Sequence, residues 1–341
     1  MFTKNIAETC HIEALHLALL TLASILLPVN NSLCLELHCY RNSCLQAELV
    51  VKKIVKKHFI VDPSLPAGFL RLQFHDCFVR GCDGLVLIDS IGDNVAKKEA
   101  PPNLTLRGFE VNDEIKADLE KRCKGIVSCV DTLALATQEG VAFARGYAVQ
   151  TGRRDGTVSN ISEVHIPVPS FSISDALKAF QNISLDLDDL TTLLGAHAIG
   201  FCHCGFFVDR LYNFRGLGQP DPNMDSNHVD CLIKICPKPA NQTFNISTDP
   251  KVFMSQTTNT PFKLDTSFYH GVLGGEALLQ LDQQLAFTGI TEKIVLDYVK
   301  RPKVFRENLL KAMIKLSSVG VLSDENGEIR MNCRKINNPS Q

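Results

Sequence analysis

Thirteen cysteines in 341 residues constrain this chain more than any other feature. In a reducing compartment so many thiols would demand a metal or redox role, so their number favours an oxidising compartment and a fold tied by disulfides. The odd total leaves at least one cysteine unpaired. The N-terminus points the same way: LHLALLTLASILL, from Leu15 to Leu27, is an apolar run followed by Pro28 and by small polar residues at Asn31 and Ser32. A spanning helix needs roughly 20 apolar residues, so this run suits a secretory signal peptide better than an anchor. Residues 1–33 are expected to be that leader, with cleavage between about 31 and 35, although Glu8 and Glu13 stand against Lys4 ahead of the apolar run. Beyond Cys34 no segment is apolar enough to span a membrane. Asn103, Asn160, Asn182, Asn241 and Asn245 each precede Ser or Thr by two positions, the pattern of glycan acceptors in secreted chains.

With 45% hydrophobic and 21% charged residues the chain has the composition of a folded protein, and a formal charge of -2 gives no electrostatic reason to bind nucleic acid. Ala47 to Phe59 sets Leu49, Val50, Ile54, Val55 and Phe59 on one side with lysines opposite, which predicts an amphipathic helix. Similar periodicity predicts helices over Phe109 to Arg122, Val130 to Ala144, Ser174 to Gln181, Leu187 to Ile199, Phe207 to Phe214, Thr266 to Leu273 and Val304 to Val319. Strand signals are few, the best being LVLI at Leu85 to Ile88, and helix and strand do not alternate. A mainly α fold follows. Pro101 and Pro102, the IPVP segment at Ile166 to Pro169, and Arg215 to Asn227 read as connections, none of which divides the chain cleanly.

Two segments carry reactive side chains. In RLQFHDCFVRGCDG, Arg71 to Gly84, a helix reaching Cys77 places Arg71 and His75 on one face a turn apart, while Asp76 faces elsewhere. A permanently charged guanidinium beside an imidazole that can take and return a proton suits cleavage of a small polar bond. In DLTTLLGAHAIG, Asp189 to Gly200, His197 shares an apolar helical face with Leu190, Leu193 and Leu194, where an imidazole serves either as a ligand or as a satisfied core group.

These segments, with VSCVDTLALA, GRRD, HCGFFVDRLYNF, LDQQL and GEIRMNCR, resemble the plant secretory haem peroxidases, class III, over roughly Leu35 to Asn337. The resemblance implies an all-helical, two-lobed fold with haem b between the lobes, and oxidation of small phenolic donors at the expense of hydrogen peroxide. It implies a single unit over 34–337, with a distal lobe at about 35–160, a proximal lobe at about 161–310, a C-terminal segment to 337 and a tail at 338–341. Arg71 and His75 match the catalytic distal pair, Phe74 the residue between them, and Asn103 the residue that orients His75. His197 matches the axial ligand of the haem iron, Asp282 the carboxylate behind it, and Pro167 the donor-binding carbonyl at the haem edge. Burial beside His75 would keep Asn103 free of glycan.

The family's four bridges fall on Cys44–Cys123, Cys77–Cys82, Cys129–Cys333 and Cys204–Cys236. Cys39, Cys202 and Cys231 then lack family partners and are expected to be buried thiols. Two calcium sites are implied, both altered. The distal one would use Asp76, Asp83 and the carbonyls of Val79 and Gly81, with water filling in where Leu85 replaces a serine, while Lys97 replaces a supporting acid. The proximal one, among Ala198, Thr257, Thr260, Lys263 and Asp265, has lost a threonine at Ala198 and a carboxylate at Thr257, so weak or absent binding is expected there. With no tryptophan in the chain, no indole can hold a radical or relay oxidation of a large donor.

A monomeric, secreted, wall-associated peroxidase is therefore the leading expectation, with the vacuole less favoured for want of a C-terminal extension beyond Cys333. The rival is a secreted, disulfide-stapled haem or calcium protein with a structural or wall-binding role and little turnover. A zinc site at His203 with Cys202 and Cys204 lacks a second well-spaced ligand pair.

Overall fold

Helices account for the order of the chain in its computed structural model, which describes residues 35–141, 148–238, 246–255, 261–323 and 325–337. The leader, Asn241, Asn245, Thr257, Thr260 and the 338–341 tail lie outside these residues. Twelve α-helices run among the described residues. The first four are α1 (Ala47–Val61), α2 (Leu65–Cys77), α3 (Phe109–Arg122) and α4 (Cys129–Val141). Next come α5 (Ile173–Gln181), α6 (Leu187–Leu194), α7 (Val208–Tyr212) and α8 (Ser226–Ile235). The last are α9 (Ser267–Leu273), α10 (Gln280–Gln284), α11 (Gly289–Lys300) and α12 (Pro302–Ser317). Two short antiparallel ribbons complete the fold: β1 (Glu36–Leu37) with β2 (Gln150–Thr151), and β3 (Phe201–His203) with β4 (Lys251–Phe253).

Local chemistry sets several of these boundaries. Pro66 in the first turn of α2 gives up no helical hydrogen bond, because the early amides have no acceptor anyway. Asp186 and Asp189 form a reciprocal capping box that starts α6, a device that contributes about 1 kcal/mol. Ser172 and Asp225 cap α5 and α8 in one direction only, accepting from the amides of Asp175 and His228. Three expectations need correction. LVL, Leu85–Leu87, is a 3₁₀ turn and not a strand, since Gly84 enters it in a left-handed conformation and no neighbouring strand is there to pair. The helix expected over Leu187 to Ile199 ends at Leu194 and tightens into a 3₁₀ turn, Gly195–Ala198. α8, α10 and α11 lie where no helix was expected; α8 starts at Ser226, inside the end of a stretch read as loop.

α2 packs on α4, α1 packs on α3 and α4, and α12 packs on α6, α11 and α2. One apolar core runs continuously from Tyr40 through Phe69, Leu133, Phe180 and Leu190 to Phe305 and Leu316. A smaller core gathers around the Cys204–Cys236 bridge with Phe207, Leu211 and Leu232. All four expected bridges are formed, and Cys129–Cys333 closes the longest loop, with a sequence separation of 204. Of the three remaining described cysteines, Cys202 is buried and Cys39 half-buried, but Cys231 is exposed, against the expectation of a buried thiol. Its place on α8 turns it away from the side where Val229 and Leu232 are buried.

The GRRD segment serves the scaffold. Arg153 is buried and donates to Asp131 at 2.7 Å, and Asp131 also accepts from Tyr40 at 2.6 Å. Asp155 accepts from the backbone amides of Cys129, Val130 and Arg330, each at 2.9 Å, and so ties the Cys129–Cys333 staple to the start of α4. No helix among the described residues is long and apolar enough to cross a membrane.

Candidate active site

α2 brings Arg71, Phe74 and His75 into one and a half turns of helix, and its last turn ends at the Cys77–Cys82 bridge. His75 is buried, and its Nδ1 lies 2.6 Å from Asn103 Oδ1. The amide nitrogen of Asn103 donates to the Lys97 carbonyl at 2.7 Å, which leaves Oδ1 as the acceptor facing the ring. The proton on that ring nitrogen is thereby fixed at Nδ1, and Nε2 is the free base. Burial first, and the Arg71 charge second, push His75 down to about 3, partly offset by Asn103. The imidazole is neutral at working pH.

Arg71 is half-buried and donates to Thr105 Oγ1 at 2.7 Å and to the Pro102 carbonyl at 2.9 Å. Burial lowers its guanidinium to about 10, which still leaves it charged at neutral pH. Thr105 escaped the sequence reading, because nothing in a lone hydroxyl three residues beyond Pro102 marks it as an anchor. Phe74 meets His75 edge-on at a centroid distance of 6.0 Å and stacks toward Phe78 and Phe180. α2 thus presents a base and a cation from a wall of aromatic rings.

His197 sits in the 3₁₀ turn after α6, where Gly195 is obligatory: a Cβ there would stand 2.6 Å from the Phe305 ring and would also strike Tyr269 Oη. His197 Nδ1 lies 2.9 Å from Asp282 Oδ2, and while Asp282 is 1% exposed, a third of the His197 side chain is open. The second Asp282 oxygen is buried with no hydrogen-bond partner. Phe268 abuts the ring edge-on at 5.9 Å. An imidazole held by a buried carboxylate at one nitrogen offers its other nitrogen as a ligand, with its basicity raised. The α10 helix that carries Asp282 is tied to the Ile166 to Pro169 loop, because Leu281 N–H donates to the Pro169 carbonyl at 2.9 Å. Pro167 in that loop is half-buried.

The residues expected to hold ions are otherwise engaged. Asp76 accepts from the amides of Gly84 at 2.9 Å and Val86 at 3.3 Å, and Asp83 accepts from the amide of Leu85 at 3.1 Å. The Val79 carbonyl accepts from Lys97 Nζ at 3.1 Å. Gly81, with φ at +125°, lies against Gly320 so closely that neither could carry a side chain. At the proximal position Ala198 is buried, Lys263 pairs with Asp265 at 3.8 Å, and Asp265 accepts from the Ser267 amide. Among the described residues no three His, Cys, Asp or Glu side chains gather as a metal cluster. The zinc reading fails on a covalent ground, since Cys204 is bonded to Cys236.

A mainly helical, four-bridge fold with a neutral buried imidazole beside an arginine, and a second imidazole backed by a buried carboxylate, defines a haem peroxidase. Residues 51–301 match the family model described as peroxidase. The chain is 41% identical over 300 residues to Peroxidase 57 of Arabidopsis thaliana, covering 87% of this chain and 91% of that protein. It is 41% identical over 308 residues to Peroxidase 5 of Vitis vinifera, covering 89% and 92%, and 40% identical over 311 residues to Peroxidase 60 of Arabidopsis thaliana, covering 89% and 91%. The chain belongs to the peroxidase family, among the class III plant peroxidases, and is an enzyme that reduces hydrogen peroxide.

Proposed function

We propose that the chain is a secreted peroxidase that binds haem b through His197 and oxidises small phenolic donors one electron at a time. The observation that carries this reading is the pairing of two differently prepared imidazoles: His75 neutral and aimed by Asn103, His197 partly open and backed by Asp282. An imidazole one-third open and backed by a buried carboxylate with one orphaned oxygen could hold the iron of a haem, so these residues fit that group. Haem, when bound, supplies the iron and the porphyrin that hold oxidising equivalents.

The remaining chemistry belongs to the side chains. His75 Nε2 accepts a proton from hydrogen peroxide and returns it to the departing oxygen as water forms. Asn103 keeps Nδ1 protonated, so that the basic nitrogen is the one that faces the substrate. Arg71, held by Thr105 and Pro102, stabilises negative charge on the separating oxygens without reorganising. Asp282 accepts the Nδ1 proton of His197 in a hydrogen bond, so the ring would bind the iron of a haem as a stronger electron donor. Pro167, on the loop anchored to α10, offers its carbonyl to a phenolic hydroxyl. Lacking tryptophan, the chain relays no oxidation through an indole. Four disulfides support an oxidising compartment.

Expression with haem, addition of peroxide while the Soret band is followed, and guaiacol turnover test the reading together. A shifted Soret band followed by donor-dependent recovery is expected. A haem-loaded protein with no spectral response to peroxide would favour the rival structural role.

A further inference from the structure

The residues at the distal ion position do not fit calcium, and the misfit centres on Lys97. Its side chain is 2% exposed, and its ammonium donates to the Val79 carbonyl, one of the oxygens that would have to face the ion. It also pairs with Glu163 at 3.7 Å, and Glu163 in turn pairs with Arg80 at 2.6 Å. A buried ammonium needs its charge and its protons met; here the Val79 carbonyl takes one proton and the Glu163 carboxylate faces the charge. Lys97 is fixed along its backbone as well. Its amide donates to Ser159 Oγ at 3.0 Å, and that hydroxyl donates to the Leu85 carbonyl at 3.0 Å.

The carboxylates beside it already lie under two buried positive charges, those of Lys97 and Arg330. Asp76 and Asp83 are buried and take backbone amides, and the Lys97 charge acts favourably on both. Arg80 offsets Glu163, and the buried Arg330 acts favourably on the two acids alongside Lys97. A dication placed among Asp76, Asp83 and the Val79 carbonyl would meet the ammonium head-on. The remaining side is apolar: Leu85 is 1% exposed and closes a small cluster with Ile88 and Ala96. A water standing in for a lost ligand would need polar partners that this cluster does not supply.

We infer that the Lys97 ammonium replaces the distal calcium, so that this chain holds its distal helix and His75 with a tethered cation and without that ion. The same residue that supplies the charge also supplies the carbonyl that orients Asn103, 2.7 Å away. Cation and catalytic imidazole are therefore joined through one side chain and one peptide, and chelation has nothing to remove at this position.

Crystals of the wild-type holoenzyme grown with calcium decide the point by anomalous scattering. The expected result is Lys97 Nζ on the Val79 carbonyl and no ion between Asp76 and Asp83. An ion coordinated by both carboxylates, with Lys97 displaced, would overturn the inference. Calorimetric titration with calcium provides a second arm: Lys97→Met combined with Leu85→Ser should bind one more calcium per chain than wild type, and equal stoichiometry would also overturn it. Both readouts are independent of turnover, so an inactive enzyme with an ion-free distal position would count against the catalytic reading and not against this one.

Discussion

His75 and Asn103 share a hydrogen bond of 2.6 Å whose direction is set by a third group, the Lys97 carbonyl, 2.7 Å from the Asn103 amide nitrogen. Because the amide can donate only from nitrogen, the chain carbonyl–amide–imidazole fixes which ring nitrogen is basic. Replacing Asn103 with Val removes the acceptor and leaves the ring free to change tautomer and tilt. The second-order rate of reaction with peroxide, followed by stopped flow, should fall about 100-fold, with donor oxidation limited only through that step. Replacing His75 with Leu removes the base itself and should cost about 100- to 10,000-fold in the same measurement.

The pH profile follows from burial. His75 is lowered to about 3 from its ordinary value of 6.5, so the native ring stays unprotonated far below neutrality. The peroxide reaction should hold its rate from neutral pH down to about 4 and decline only as pH approaches 3; a decline centred near 6.5 would show that the ring is solvated. Stability moves the same way. The unfolded chain takes up a proton near 6.5 that the native ring refuses, so this residue's contribution to stability falls as pH drops through the window between 6.5 and about 3. Denaturant titrations across that range should show the midpoint falling.

Asp282 prepares His197 from the far side. Asp282→Asn keeps the shape but withdraws the negative charge, so the ring becomes a weaker electron donor. Haem affinity or peroxide turnover should drop about 10- to 100-fold, and the ferric/ferrous midpoint potential should rise, because the oxidised metal loses the stronger donor. An unchanged potential would leave Asp282 with a packing role only.

Gly195 tests how tightly the proximal turn is built. A methyl group there meets Phe305 at 2.6 Å as well as Tyr269, both in the core and unable to yield easily. Gly195→Ala should destabilise the fold by about 1 to 3 kcal/mol and displace His197, seen as a lower melting temperature with weakened haem retention.

Removing the longest staple should be felt globally. The Cys129–Cys333 bridge spans 204 residues and joins the start of α4 to the C-terminal segment. Replacing both cysteines with Ala should cost about 3 to 5 kcal/mol in unfolding free energy, with the midpoint in guanidinium falling and the slope rising as the unfolded chain expands.

Much of the site could be read from local pattern. The four-residue spacing of Arg71 and His75 places them on one face of α2, and the apolar periodicity around His197 anticipates α6 as far as Leu194. The strand expected at Leu85 shows where such reading stops: three apolar residues in a row mark burial, but only their neighbours decide between a turn and a ladder. α8, α10 and α11 escaped notice: loop residues run into the start of α8, α10 is only 5 residues long, and α11 mixes charged residues among its apolar ones.

By itself the sequence determined the mainly helical class, a cysteine content that calls for disulfides, and the two segments that carry imidazoles, α2 and the turn after α6. These depend on interactions within a few residues, where spacing alone dictates which side chains share a face. Only the tertiary structure decided that Asp282, 85 residues from His197, reaches its ring, that Asn103 is aimed by a carbonyl, and that the Lys97 ammonium lies on the Val79 oxygen. Those contacts join distant segments, and their strength comes from the exclusion of water, which exists only once the core has closed.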